Sequence, residues 1–245
     1  MRYLPMIALA VLAVACTDTE PQTGPLLGAS AGVGNASDGA ARVYEVTIEN
    51  LTTGQPFSPG VFVTHTARES LFTVGGAASE GLRQIAENGD PSTAVSMLSG
   101  ASGLADVATV DAPIHRLGGP GGSSYSFTIE ARANANRLSG AVMLICTNDG
   151  FVGLDGVKLP GGFRPVSYTP MAYDAGTEVN EESLASIVPP CFAIGPTTGE
   201  TAENARTAEG GTVQPHPGIV GGADLDPAKH GWTYPVASVT IQRVQ

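Results

Sequence analysis

The chain has 245 residues, of which 32 are glycine, 18 are proline and 14% are charged. This composition predicts a loop-rich fold and argues against a helical bundle. The formal net charge of −11 argues against nucleic acid and anionic membrane surfaces as partners. It is compatible with the binding of a hard cation such as Ca²⁺, and equally with solubility alone.

The first sixteen residues have the features of an export signal. Arg2 supplies a positive charge, and residues 7–14 form an apolar run that is shorter than the roughly 20 residues needed to span a membrane. Residues 13–16 (Ala-Val-Ala-Cys) resemble the bacterial lipobox, in which small residues precede a lipid-modified cysteine. We therefore predict a lipoprotein signal peptide over residues 1–16.

A lipid on Cys16 would anchor the mature protein to a membrane, as a cell-surface or outer-membrane lipoprotein. Ordinary cleavage after Ala15 is the alternative, and it would release a periplasmic or secreted protein. Residues 17–40 are rich in Gly, Ala, Ser, Thr and Asp, so they cannot build a core and are predicted to form a flexible linker. Residues 41–245 are sufficient for one folded domain.

Two cysteines, Cys146 and Cys191, remain in the mature chain after Cys16. Thiols oxidise outside the cytoplasm, so we predict a disulfide between them. Two buried free thiols are the alternative.

Three segments, at residues 43–49, 124–130 and 237–242, alternate apolar and polar side chains. A period of two is typical of strands with one buried face. Residues 141–146 are apolar throughout, which predicts a central strand buried on both faces.

Two short helices are predicted after the first strand. Ser79 is a suitable N-cap for a helix that ends at Asn88-Gly89. Asp90-Pro91 starts a second helix, with a packing face of Val95, Met97 and Leu98. Together these elements predict an all-β fold, an antiparallel β-sandwich with a short helical insertion.

Catalytic motifs are missing from the sequence. It contains no Gly-x-Ser-x-Gly elbow, no His-Glu-x-x-His, no Walker loop and no dinucleotide fingerprint. The four histidines are scattered rather than spaced as metal ligands. We therefore predict a binding module rather than an enzyme, with a hydrolase that uses an unrecognised Ser, His and Asp as an alternative.

Two acidic turns, at residues 147–156 and 173–178, follow strand-like segments. Loops at one end of a sandwich bring carboxylates together, and Ca²⁺ takes about six to eight oxygen ligands. Asp-Gly turns are also common in hairpins without a metal. The spacing of the acidic residues alone therefore does not decide whether they form a calcium site. Asp155 is either a fourth ligand or a solvated turn residue, and we favour the solvated turn.

Residues 44–59, 148–153 (Asn-Asp-Gly-Phe-Val-Gly) and 173–178 (Tyr-Asp-Ala-Gly-Thr-Glu) resemble the spondin domain. This module is shared by F-spondin and mindin and is found in bacterial lipoproteins. The resemblance spans roughly residues 42–244, and it implies a β-sandwich similar to C2 domains, with Ca²⁺ bound at one end and a role in cell adhesion.

Carried over position by position, the resemblance implies that Asp149, Asp174 and Glu178 are the calcium ligands. Two positions depart from the pattern of the animal members. Gly150 stands where those members carry tryptophan, and Glu178 replaces an aspartate. Glutamate also ligates Ca²⁺, so the resemblance implies altered affinity rather than lost binding.

The leading hypothesis is therefore a calcium-binding extracytoplasmic interaction or adhesion module on a lipid-anchored protein, with a protein or glycan as partner. The alternative is a carbohydrate-binding module with a structural calcium. In that case Trp232 and Tyr234, beside His230, would form the sugar platform. The other interpretation of Trp232 is that it anchors the start of the last strand.

Overall fold

A computed structural model describes residues 40–199 and 205–245. The predicted signal peptide, its Cys16 and all but the last residue of the predicted linker lie outside the described residues. The described chain is an antiparallel β-sandwich of a four-stranded and a six-stranded sheet, which confirms the predicted fold class. No helix in the described ranges is long and apolar enough to cross a membrane.

The elements of the described chain, in order, are β1 (Arg42–Asn50), β2 (Phe57–His65), α1 (Glu80–Asn88), α2 (Ser92–Leu98), β3 (Leu104–Val110), β4 (Ser124–Ala131), β5 (Arg137–Leu144), β6 (Gly150–Lys158), β7 (Val166–Tyr168), β8 (Met171–Asp174), α3 (Pro190–Ile194), β9 (Gln214–Pro215), α4 (Pro227–His230) and β10 (Ala237–Arg243). The strand order is β4-β1-β10-β7 in one sheet and β3-β2-β5-β6-β8-β9 in the other.

The three strands predicted from alternation form the centre and one edge of the four-stranded sheet. In β1, Tyr44, Val46 and Ile48 are buried while Glu45 and Glu49 are exposed. The buried face packs against the six-stranded sheet, which closes the main core. The predicted central strand is confirmed as β5, which lies between β2 and β6.

The first predicted helix is confirmed as α1. The Ser79 side chain accepts a hydrogen bond from the backbone N–H of Leu82, and Gly89 ends the helix with a φ of 64°. Glycine adopts this left-handed conformation without steric cost, which explains its place there.

The second predicted helix is confirmed as α2, but its predicted packing face is wrong at one position. Met97 is 42% exposed, whereas Ala94 and Leu98 are buried. These two residues are four apart and so lie on the same side of the helix. Both helices pack on the outer face of the six-stranded sheet, in a second apolar cluster that includes Val61 and Phe151.

The predicted acidic turn at residues 147–156 is a turn only as far as Asp149, because β6 begins at Gly150. Gly150 and Gly153 serve close packing within the sheet, whereas Gly156 adopts a φ of 59°. A Cβ on Gly153 would lie 2.7 Å from the ring of Phe72, so a larger residue is excluded there.

The predicted disulfide is confirmed, because Cys146 and Cys191 are bonded. It ties the segment after β5 to α3 across a sequence separation of 45 residues. The bond lies in a third apolar cluster, together with Met143, Ile145 and Ile187. This cluster is next to the turn that carries Asp149.

Replacement of both cysteines by alanine is expected to lower the free energy of unfolding by up to about 4 kcal/mol, because the bond restricts the unfolded chain. Urea titration of the two proteins measures the difference. Reductant should lower the stability of the wild type and leave the variant unchanged. Equal midpoints for the wild type and the variant would contradict this assignment.

Candidate metal centre

The pairing of β6 with β8 brings two aspartates together. Gly150 lies opposite Asp174 in the strand register, so Asp149 lies beside the residue that follows β8. The carbonyl oxygen of Asp149 accepts a hydrogen bond of 3.2 Å from the N–H of Ala175. Both aspartate side chains are buried, at the end of the sandwich where the sequence predicts them.

The two carboxylate oxygens of Asp149 have different environments. Oδ2 accepts hydrogen bonds from the N–H of Thr177 at 2.6 Å, from the hydroxyl of Thr177 at 3.1 Å and from the N–H of Glu178 at 3.0 Å. Oδ1 is buried and has no hydrogen-bond partner among the described residues. A buried oxygen without a partner costs free energy, so Oδ1 is the atom that requires a further ligand.

Asp174 shapes the loop that follows β8. Its Oδ1 accepts from the N–H of Gly176 at 2.7 Å, and its Oδ2 accepts from the side-chain amide of Asn180 at 2.6 Å. Gly176 has a φ of 70°, and a Cβ there would lie 2.4 Å from the backbone nitrogen of Thr212. Only glycine therefore fits the centre of this loop.

Glu178 is also buried, but its carboxylate faces other charged groups. The Nε atom of Arg206 lies 3.2 Å from its Oε1 and is not aligned as a hydrogen bond. The same guanidinium lies 3.7 Å from Oε2 of Glu87. Neither oxygen of Glu178 has a hydrogen-bond partner within the described part of the chain.

Burial raises the pKa of Asp149 to about 6, with a further contribution from the negative charge of Asp174. Burial likewise raises the pKa of Glu178 to about 8, and Arg206 opposes this shift. A bound cation would favour the charged form of both carboxyl groups, because it compensates the loss of water.

In their present arrangement, the described residues contain no group of three or more His, Cys, Asp and Glu side chains that could hold a metal ion. Asp149 and Asp174 fit a hard cation nonetheless, because one buried oxygen lacks a partner and Asp174 raises the pKa of Asp149. The carboxylate of Glu178 faces Arg206 instead. The structure thus places all three predicted residues at one end of the sandwich, and two of them together.

His216 lies next to this pair, although no local sequence pattern points to it. Its ring packs over Gly150, where a Cβ would lie 2.9 Å from the imidazole Cδ2 atom, and against Trp232 at a centroid distance of 5.0 Å. The imidazole and the Thr147 hydroxyl, which would lie 2.5 Å from the same Cβ, therefore leave no room for a tryptophan at position 150.

The two ring nitrogens of His216 differ, because Nε2 is buried without a hydrogen-bond partner among the described residues. Its Nδ1 accepts a hydrogen bond of 3.0 Å from the N–H of Gly218, so the neutral ring carries its proton on Nε2. Burial lowers the pKa of His216 to about 4, and the negative charge of Asp174 opposes this shift. A neutral ring packs beside the aspartates without adding a competing positive charge.

The two rings of the predicted sugar platform have different environments. Trp232 packs against the apolar clusters, which supports its role as an anchor for the last strand. His230 is buried and hydrogen-bonded to Thr197. Tyr234 is 53% exposed and is the one ring of the pair that a sugar would reach.

A serine, a histidine and an aspartate do meet elsewhere in the fold, on strands β2, β5 and β6. Ser139 Oγ lies 2.7 Å from His65 Nε2 and 3.0 Å from Asp155 Oδ1. In a catalytic triad the histidine stands between the other two residues, whereas here the serine does, and it is fully buried. This group does not support the hydrolase interpretation.

Asp155 is exposed and lies farther along β6, roughly 15 to 20 Å from Asp149 at the usual rise per strand residue. At this distance Asp155 does not share a cation with Asp149, and it is solvated as expected, but it lies in a strand rather than in a turn.

The family model Spondin_N matches residues 49–187, which is more than half of the chain. The chain belongs to the Spondin_N family. Spondin_N domains are extracellular interaction modules, and the matched region contains Asp149, Asp174 and Glu178. Arg206 and His216 lie beyond the end of the match. Among curated proteins, none matches the chain.

The raised pKa of Glu178 makes the stability of the fold depend on pH, and the substitution Glu178→Gln removes this contribution. A carboxyl group with a higher pKa in the folded state stabilises the fold fully below its unfolded pKa, and this contribution is lost as pH rises through the folded value of about 8. In chelator, the wild type should therefore lose more stability between about pH 5 and about pH 9 than Glu178→Gln does.

Urea midpoints across this pH range measure the difference between the two proteins. Glu45→Gln, which changes an exposed glutamate on β1, is the matched control and should follow the wild type. Parallel curves for the wild type and Glu178→Gln would contradict the buried position of Glu178.

Proposed function

We propose that the protein is a calcium-binding extracellular interaction domain held at the cell surface by a lipid. The observation that supports calcium is the buried Oδ1 atom of Asp149, which has no hydrogen-bond partner among the described residues. The negative charge of Asp174 is near enough to raise the pKa of the same carboxylate. A dehydrated carboxylate oxygen in this setting requires either a proton or a cation, and Ca²⁺ is the cation whose ligand preference it fits.

In this proposal Asp149 and Asp174 hold the cation, and backbone or water oxygens complete its ligand set. The cation supplies positive charge at the point where the turn before β6 meets the loop after β8. Because Asp149 already binds the backbone of Thr177 and Glu178, fixing Asp149 also fixes that loop. A fixed loop presents a defined surface to a partner, at a smaller entropic cost of binding.

The lipid on Cys16 and the linker over residues 17–40 complete the proposal, because they would hold the domain clear of the membrane. The partner is a protein or a glycan on another surface. A protein partner is favoured, because Trp232 is partly buried against the apolar clusters and Tyr234 is the only well exposed ring of the two for stacking a sugar.

Calcium is expected to stabilise the wild type by roughly 2.7 kcal/mol at a hundredfold excess over the dissociation constant. Asp174→Asn should abolish this shift. The variant is expected to fold, because an asparagine retains an oxygen for the N–H of Gly176 while Asn180 turns its amide to accept from the new NH₂ group. Thermal melts in Ca²⁺ and in chelator measure the effect.

Asp155→Asn is the matched control, since Asp155 is exposed and distant from the proposed site. It should respond to Ca²⁺ as the wild type does. A wild type with the same melting temperature in Ca²⁺ and in chelator would refute the calcium proposal and leave the fold assignment intact.

Replacement of Cys16 by alanine should move the protein from the membrane fraction to the soluble fraction of a bacterial host, because a lipid chain is the proposed anchor. Incorporation of labelled fatty acid, detected in the wild type and lost in Cys16→Ala, measures the modification directly. Label retained by the variant would contradict Cys16 as the attachment site.

A further inference from the structure

Arg206 joins the candidate metal centre to helix α1. Its Nη1 atom donates a hydrogen bond of 2.9 Å to the side-chain oxygen of Asn88, and it lies 3.7 Å from Oε2 of Glu87. Its Nε atom lies 3.2 Å from Oε1 of Glu178. The side chain is only 15% exposed, so this guanidinium is not a freely moving surface group.

The backbone holds Arg206 in this position. Residues 207–211 pair with the loop after β8: the N–H of Val179 donates to Thr207 at 2.8 Å, the N–H of Glu209 donates to Thr177 at 3.1 Å, and the N–H of Gly211 donates to Gly176 at 2.6 Å. A bridge between Glu178 and Ala208 continues the pattern. Arg206 is thus fixed to the same loop as the carboxylate that it faces.

The carboxylate of Glu178 can pair with Arg206 or bind a cation, and these two interactions compete. Both of its oxygens are buried, and no described residue gives either of them a hydrogen bond. Its burial can be offset by a proton or by positive charge, and the nearest positive charge is that of Arg206, 3.2 Å from Oε1. A divalent cation at Asp149 and Asp174 would draw on the same carboxylate, and it would be repelled by the guanidinium.

We propose that Arg206 is a built-in competitor for calcium: it holds Glu178 out of the ligand set and thereby sets the affinity of the site. This inference rests on the proposed calcium function. Ligand charge count is a main determinant of calcium affinity. The wild type accordingly binds through two carboxylates, and the removal of Arg206 makes a third carboxylate available.

Isothermal titration calorimetry of Ca²⁺ into four proteins tests the proposal: the wild type, Arg206→Gln, Glu178→Gln and the double variant. Arg206→Gln should bind Ca²⁺ at least about tenfold more tightly than the wild type. In the Glu178→Gln background the same substitution should change the affinity less than about threefold, because the carboxylate that Arg206 withholds is no longer there.

The double-variant cycle separates competition for Glu178 from a general charge effect. Loss of any nearby positive charge favours a cation, but that effect persists without Glu178. Arg83→Gln is a second control, since Arg83 pairs with Glu80 and Glu87 and its loss removes one positive charge from the same helix. It should leave the affinity close to that of the wild type.

Arg206→Lys keeps the charge and should keep the affinity of the wild type, which provides a test that does not depend on the folding of Arg206→Gln. Melts in chelator confirm that each variant is folded. Equal affinities for the wild type and Arg206→Gln would overturn the inference and leave the calcium function standing. An equal gain in both backgrounds would also overturn it.

If only Arg206→Gln binds Ca²⁺, the inference holds in its strongest form, because Arg206 then prevents binding in the wild type. A lack of Ca²⁺ binding by all four proteins would refute the proposed function, and the inference with it.

Discussion

The buried carboxylate of Asp149 is the constraint on which this end of the sandwich depends. A charged group withdrawn from water must be compensated by hydrogen bonds or by an opposite charge. Three donors from Thr177 and Glu178 converge on one of its oxygens, and this requirement shapes the loop after β8. The other oxygen receives no donor from the described residues, so the fold compensates half of the carboxylate and leaves the rest to a cation or a proton.

Glu182, in a neighbouring loop, shows what full compensation looks like. Its carboxylate accepts hydrogen bonds from the backbone N–H groups of Val220, Gly221 and Gly222 at 2.6 to 2.7 Å, and its own φ of 53° is a left-handed conformation that costs a non-glycine residue free energy. The three hydrogen bonds to the loop at residues 220–222 offset this backbone strain and hold the loop in place. Both oxygens of Glu182 therefore have partners, and the loop needs no further ligand. The proposed role of Asp149 as a ligand rests on its incomplete set of donors.

The sequence was sufficient to predict elements whose signals are local. The alternation in β1, the cap at Ser79 and the acidic residues at the strand ends all depend on near neighbours. Strand β2 was missed because Ser58-Pro59-Gly60 has the composition of a turn, although Gly60 is required by the close approach of β5, where a Cβ would lie 2.2 Å from the carbonyl oxygen of Ala141. Arg206 and His216 were missed because their roles depend on contacts far along the chain, which no local pattern encodes.

The boundary of the family match separates the proposed ligands from the residues proposed to tune their affinity. The matched region supplies the aspartates, and the pairing of β6 with β8 brings them together. Arg206 and His216 come from beyond residue 187 and contact the same loops from outside: one provides a fixed positive charge, and the other provides a neutral ring over Gly150. Because cation affinity depends on net charge as much as on ligand identity, members that share the aspartates are expected to differ in affinity according to what the segment after the match places beside them.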